Sequence, residues 1–178
     1  MEKQLFIGGF GGQGSLLIGQ MIGYAAKETG LNSAYFPEYE TALRGGASNC
    51  TVITSEDSIK SLVLENFDCV VAMDARTLKE HSHRVKLSGT LIVNTSLAKE
   101  KIYRTDISVF EVPMNDMAAE IGNEYVSNII MLGAINKVMN MVTDEALRDQ
   151  IKSQFKGNEK AINLNIAAFE AGKTFVAK

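Results

Sequence analysis

Cysteine is scarce: Cys50 and Cys69 are the only two among 178 residues. That excludes a disulfide framework, a C-x-x-C redox pair and a four-thiolate iron–sulfur ligand set. Both fall in apolar, strand-like runs, where a free thiol serves as a small core residue. Histidine is as sparse, with His81 and His83 the whole supply. Two apart on a helix they point to different faces, so a solvated basic helix end accounts for them better than a metal site. No apolar run is long enough to span a bilayer, and no signal peptide precedes the first strand-like segment; the expectation is a cytoplasmic protein away from membranes. Positive charge is not in excess, because 18 Lys+Arg against 21 Asp+Glu leave a net charge of −3. Nothing electrostatic therefore argues for nucleic acid or an acidic membrane surface. Internal repeats, low-complexity segments and linkers are missing as well.

What is present is an ordinary globular composition, 46% hydrophobic and 22% charged. The length suits one domain, residues 1–178, with a core that needs no disulfide or metal. Its organising stretch is Phe6-Ile7-Gly8-Gly9-Phe10-Gly11-Gly12-Gln13-Gly14-Ser15. Gln4 to Ile7 reads as a buried strand, and Leu16, Leu17, Ile18, Met21, Ile22, Ala25 and Ala26 follow at helical spacing. Between them Gly9, Gly11 and Gly14 satisfy G-x-G-x-x-G in the strand-to-helix context that gives the pattern meaning. Glycine permits positive φ and close approach of another backbone or a phosphate, and the helix start offers unpaired N–H groups. Gly9, Gly11, Gly12, Gln13, Gly14 and Ser15 are therefore a candidate cofactor- or anion-binding loop. A tight turn that merely lets the helix lie on the sheet remains open beside it. The Walker pattern fails because no Lys-Ser or Lys-Thr follows Gly14. Ser15 lies at a helix start outside any G-x-S-x-G, so nucleophilic hydrolysis has no support either.

Along the chain, a helix over about 15–28 stops at Gly30, with Gly19 and Gly23 on one face for close packing on the sheet. A second strand, about 33–36, ends at Pro37. The segment from Glu38 to Gly46 reads as an ordered loop, with Glu38, Tyr39, Arg44, Gly45 and Gly46 as a candidate interface or ligand loop. In an open α/β sheet this loop and the glycine turn should be neighbours at the carboxyl ends of the strands. Glu38 also falls roughly where the ribose-binding acid of a dinucleotide fold would sit. Strands follow at about 49–54 and 67–73, and Asp74 is a plausible cap for a short helix. Ser88-Gly89 then turns the chain into strands at 90–93 and 107–112, the second ending at Pro113. Asn115 is the expected cap of the next helix, with Gly122-Asn123 as its stop. A longer helix starts from Tyr125 and carries Asn128 and Asn136 on or beside its apolar stripe. Thr143 opens another helix that ends near Gly157, and a last one runs from about Asn158 to Ala171 with Gly172 as its stop. The alternation predicts an α/β protein, one Rossmann-like domain with a mostly parallel sheet flanked by helices and a helical C-terminal part. The methionine-bearing segment from Met114 to Met141 is, with the loop after Pro37, a candidate apolar patch for partners or for a two-fold dimer of the isolated chain.

The same residues carry a family resemblance. Gly9-Phe10-Gly11-Gly12-Gln13-Gly14, then Pro37-Glu38-Tyr39 leading to Arg44-Gly45-Gly46 and a Val52-Ile53 strand, resemble the gamma subunit of 2-oxoacid:ferredoxin oxidoreductases. Val112-Pro113, Ala119-Glu120-Ile121-Gly122-Asn123, Asn128 with Met131-Leu132-Gly133-Ala134, and Asn165 with Ala168-Phe169 and Gly172 continue it in order and spacing. Glu40, Thr41 and Ala42 depart from it, standing where the family often has Gly, Pro and Glu. The resemblance implies a CoA-acylating oxidative decarboxylation with electrons passed to ferredoxin. It also implies alpha and beta partners holding thiamine diphosphate, cysteine-rich ferredoxin-like delta chains holding [4Fe-4S] clusters, and no cofactor bound tightly here. The short length favours the multi-subunit 2-oxoglutarate or branched-chain type over a fused pyruvate enzyme. A stand-alone NAD- or FAD-binding domain is the alternative the residues leave open, and a purely structural partner a third.

Overall fold

The computed structural model describes residues 1–40 and 46–177. A six-stranded sheet is built from β1 (Lys3–Phe10), β2 (Asn32–Tyr39), β3 (Ala47–Ser55), β4 (Phe67–Ala72), β5 (Val85–Asn94) and β6 (Ser108–Val112), in the order β2-β3-β1-β4-β5-β6. The β1–β4, β4–β5 and β5–β6 pairs are parallel. Only β3 runs against the others, pairing antiparallel with both β1 and β2. The helices are α1 (Ser15–Glu28), α2 (Ala75–His81), α3 (Met114–Ile121), α4 (Ser127–Met139), α5 (Asp144–Gln154) and α6 (Glu159–Val176). This is the expected α/β architecture with its helical C-terminal part.

Several element ends follow local chemistry that the sequence announced. Asp74 accepts from Thr77 N at 2.7 Å to cap α2, and Thr143 accepts from Ala146 N to cap α5. Gly30, Gly122 and Gly157 take positive φ just past their helices. Four expectations fail, each for a physical reason. Pro37 does not end β2 but lies inside it, opposite Cys50. Glu40 N donates to Ala47 O at 2.9 Å, so even-numbered residues bond to β3 and the nitrogen of Pro37 faces outward from an edge strand, where it breaks no ladder bond. Ser88-Gly89 is no turn between elements. β5 begins at Val85 and bulges there, Ser88 taking φ 60°, because residues 85–90 face only residues 67–69 of β4. Asn115 does not cap α3, whose N-cap is Pro113; its side chain accepts from Asn94 instead. Gly172 is not a stop but an interior residue of α6. A Cβ there would overlap Ile130 O of α4, and a Cβ on Gly133 would overlap Phe169 O of α6. The two glycines let the helix backbones touch.

The strands bury side chains on both faces, unequally. Leu5, Ile7, Cys50, Val52, Cys69, Val71 and Ile92 point into the large core beneath α1, α4 and their neighbours. Phe6, Val70, Ala72, Leu91 and Val93 point the other way, into a smaller cluster beneath α2. Burial pushes the Cys50 thiol up to about 12 and raises Cys69 as well, so neither is a nucleophile at neutral pH. Met114, Met131 and Met141 are buried in the large core and offer nothing to a docking patch, while Met117 and Met139 are partly buried against it.

Candidate functional site at the carboxyl edge of the sheet

The parallel strands deliver three junctions to one edge: Gly9–Gly14 after β1, Met73–Asp74 after β4, and Asn94–Ser96 after β5. Gln13 joins the first two. Its Oε1 accepts from Phe10 N at 2.8 Å, and its Nε2 donates to Met73 O at 3.1 Å. A Cβ on Gly9 would push the Gln13 amide out of this position. Asn94, fully buried, donates to the same Met73 O at 2.9 Å and to Asn115 Oδ1 at 2.9 Å, adding β5 and the start of α3 to the network. Sequence reasoning missed Asn94, although a lone amide closing the apolar run Leu91-Ile92-Val93 was a readable signal.

Three amides of the glycine turn are satisfied within the fold. Phe10 N is held by Gln13, Gln13 N donates to Phe10 O, and Gly11 N donates to Gly46 O at 3.0 Å. Gly14, with φ +84°, starts α1 against the side chain of Asn128, whose buried Oδ1 has no hydrogen-bond partner among the described residues. The Ser15 hydroxyl is spent on Ser48 O at 2.7 Å, tying the helix start to β3. Around Gly11 and Gly12, both exposed and the latter with φ +100°, the turn faces open space.

The second candidate loop meets the first, as its position predicted, through the Gly11–Gly46 bond. Arg44 and Gly45 lie outside the described residues. Glu40 is held by Arg76 of α2 at 3.0 and 3.2 Å and by Ala47 N at 3.1 Å. The Arg76 bonds hold the Glu40 carboxyl below its ordinary range, and Glu40 in turn raises the guanidinium. Tyr39 is 69% exposed, and Phe36 and Phe10 are half-exposed on the opposite face of the sheet. Glu38 sits on β2 opposite Asn49, and β3 intervenes between β2 and β1. A ribose-binding acid belongs on the strand next to β1; Glu38 is two strand spacings away, about 10 Å. The NAD or FAD reading thereby loses the support of Glu38.

A [4Fe-4S] cluster, which the resemblance places on partner chains, does not fit these residues. Among the described residues no group of three His, Cys, Asp or Glu is placed to hold a metal ion, and the two thiols are buried core residues. No helix among the described residues is long and apolar enough to cross a membrane.

The chain is thus an open α/β-sheet domain whose carboxyl edge is knitted together by Gln13, Asn94 and Asn115. Residues 4–175 match the family described as pyruvate ferredoxin/flavodoxin oxidoreductase, and the chain belongs to that family. It is of the gamma-subunit type. The 2-oxoglutarate synthase subunit KorC of Methanothermobacter marburgensis is 33% identical, over 99% of this chain and 97% of that one. The keto/oxoacid ferredoxin oxidoreductase gamma subunit of Geobacter sulfurreducens superposes with a TM-score of 0.86 at 24% identity, covering 99% and 97% of the two chains. A 2-oxoglutarate:ferredoxin oxidoreductase from Magnetococcus marinus, solved with 2-oxoglutarate, coenzyme A and succinyl-CoA, gives a TM-score of 0.92 at 20% identity. This chain covers 99% of itself there but 31% of that longer chain. It likewise spans only 37% and 36% of two ketoisovalerate oxidoreductase subunits.

Proposed function

We propose that the chain acts along its whole length as the gamma subunit of a cytoplasmic, multi-subunit 2-oxoacid oxidoreductase. That enzyme converts a 2-oxoacid and coenzyme A to an acyl-CoA and delivers the electrons to ferredoxin. Thiamine diphosphate and [4Fe-4S] clusters reside on alpha, beta and ferredoxin-like delta partners. The observation that carries the reading is the carboxyl edge itself. Phe10 and Tyr39 stand exposed at the level of a glycine turn whose amides at Phe10, Gly11 and Gln13 are satisfied within the fold, and Phe36 is exposed further back along β2. Exposed aromatics on a rigid, hydrogen-bonded base suit a permanent subunit contact. On this reading Gly9, Gly11, Gly12, Gln13, Gly14 and Ser15 form the base, and Glu38, Tyr39, Arg44, Gly45 and Gly46 the contacting loop. Relatives that carry this domain as about a third of a longer chain support an association with further domains.

The test is reconstitution. The chain alone is expected to show no 2-oxoacid- and CoA-dependent dye reduction, and co-expression with its partner subunits to restore it, with 2-oxoglutarate as the first substrate tried. Activity from the lone chain supplied with thiamine diphosphate would overturn the reading. Without partners the aromatic rim should drive self-association into a two-fold dimer, visible by light scattering. A second reading, an anion held at the turn, is favoured by the open side of Gly12; calorimetry with coenzyme A and with inorganic phosphate decides it.

A further inference from the structure

The charge of this chain is unevenly distributed. Residues 75–105 hold seven Lys or Arg against two Asp or Glu, a net of +5, and the rest of the chain carries −8. Four of those seven cations are committed. Arg76 is paired with Glu40 and Glu80, Lys86 with Asp68, and Arg104 with Asp106, while Arg84 donates to Leu64 O and Glu65 O. Lys79, Lys99 and Lys101 make no ion pair among the described residues, and all three are exposed. Lys79 and Lys101 reach this surface from different elements, α2 and the chain between β5 and β6. They rim one shallow depression of about 390 Å³, floored by Leu78 and Ile102 and bordered by Tyr103, which is 84% exposed; the paired Arg104 and one acid, Glu100, complete its charged lining.

This surface differs in kind from the carboxyl edge. Lysine is depleted from the cores of permanent interfaces, where its long side chain and strong hydration are costly, and aromatic residues are enriched there. Free lysines around one exposed tyrosine suit a brief, charge-steered encounter instead, and electron-transfer complexes are the small, transient kind. We propose that the Lys79–Lys101 face docks an acidic electron-carrier protein, ferredoxin, and orients it toward a cluster-bearing partner subunit. The proposal rests on the gamma-subunit reading above. The chain contributes charge and shape to the encounter and no redox group.

The test uses the assembled complex carrying K79E/K101E, with K79R/K101R as a charge-preserving control. Binding of a purified acidic ferredoxin is measured by biolayer interferometry from roughly 25 to 300 mM salt, a span over which screening passes from weak to strong. The charge reversal is expected to weaken binding by about tenfold at low salt and to flatten the salt dependence, with the control unchanged. Methyl viologen, small and cationic, needs no such dock, so its reduction rate should be untouched while the KM for ferredoxin rises. Unchanged ferredoxin affinity overturns the proposal. So does joint loss of viologen reduction or of assembly, which would make this face a subunit contact. A wild-type complex that binds ferredoxin through these lysines but reduces no viologen with any 2-oxoacid would instead refute the assigned reaction and leave the docking face standing.

Discussion

On one face of the sheet α1 and the helices after β6 bury Leu5, Ile7, Val52, Val71 and Ile92 under two layers of chain. On the other, α2, only seven residues long, and irregular segments cover Phe6, Phe67, Val70 and Leu91. The thick face is held by close approach: Gly19 lets α1 down onto Cys50 and Tyr35, and Gly133 with Gly172 lets α4 and α6 touch backbone to backbone. The thin face is held by side-chain clamps. Arg84 stacks 4.7 Å above the Phe67 ring and 5.2 Å from that of Phe6 while binding the carbonyls of Leu64 and Glu65. The His81 ring lies 4.5 Å from that of Phe6. A face built on dispersion tolerates little change of volume, whereas one built on polar clamps leaves charge at the surface. The unpaired lysines belong to the second.

The contrast can be broken most sharply at the helix pair. Gly172→Val places a side chain where Ile130 O already lies, and urea denaturation should show a loss of about 3 kcal/mol or more. Gly23→Ala is the control, since its Cβ would meet Tyr35 at an ordinary 3.7 Å and should be neutral or stabilising by about 0.5 kcal/mol. Next come two truncations of equal chemistry. Leu132→Ala in the thick core should cost about 4 kcal/mol, and Leu78→Ala at the margin of the thin core about 2 kcal/mol. Equal losses would mean the two faces are equally well packed. The smallest effect is a pH dependence. Burial, and then the Arg84 charge, lower the His81 pKa below its ordinary value. The unfolded chain then binds that proton more readily than the fold, so stability falls as pH drops through the ordinary histidine range and returns above it. His81→Phe should flatten that part of the stability–pH curve; an unchanged slope would assign the dependence to other groups.

Much of the fold was legible because its signals are local. The apolar run of β4, the caps at Asp74 and Thr143 and the positive-φ glycines act within a few residues of chain. The errors arose where a residue's role is set by a neighbour distant in sequence. Pro37 is tolerated only because β2 is an edge, and Gly172 is helical because Ile130 lies across from it. Asn115 turns to Asn94 rather than to its own helix end, and Glu38 is displaced from the glycine turn by the antiparallel insertion of β3. The candidate site was half legible for the same reason. The glycine spacing identified the turn and its meeting with the second loop, but not that Gln13 fills it or that Arg76 claims Glu40. Those bonds span up to 60 residues of sequence.

Pro37 has a further consequence for a chain made separately from its partners. The outer rim of β2 would otherwise display amides at Ser33, Tyr35, residue 37 and Tyr39, a template on which a second chain could extend the sheet. The missing N–H interrupts that template beside the exposed Phe36 and Tyr39, so the most adhesive stretch of the surface cannot grow into a strand-by-strand aggregate. The aromatic side chains remain available for a shape-matched partner while backbone-driven polymerisation is blocked. A newly synthesised subunit can in this way persist at working concentration until its complex is assembled.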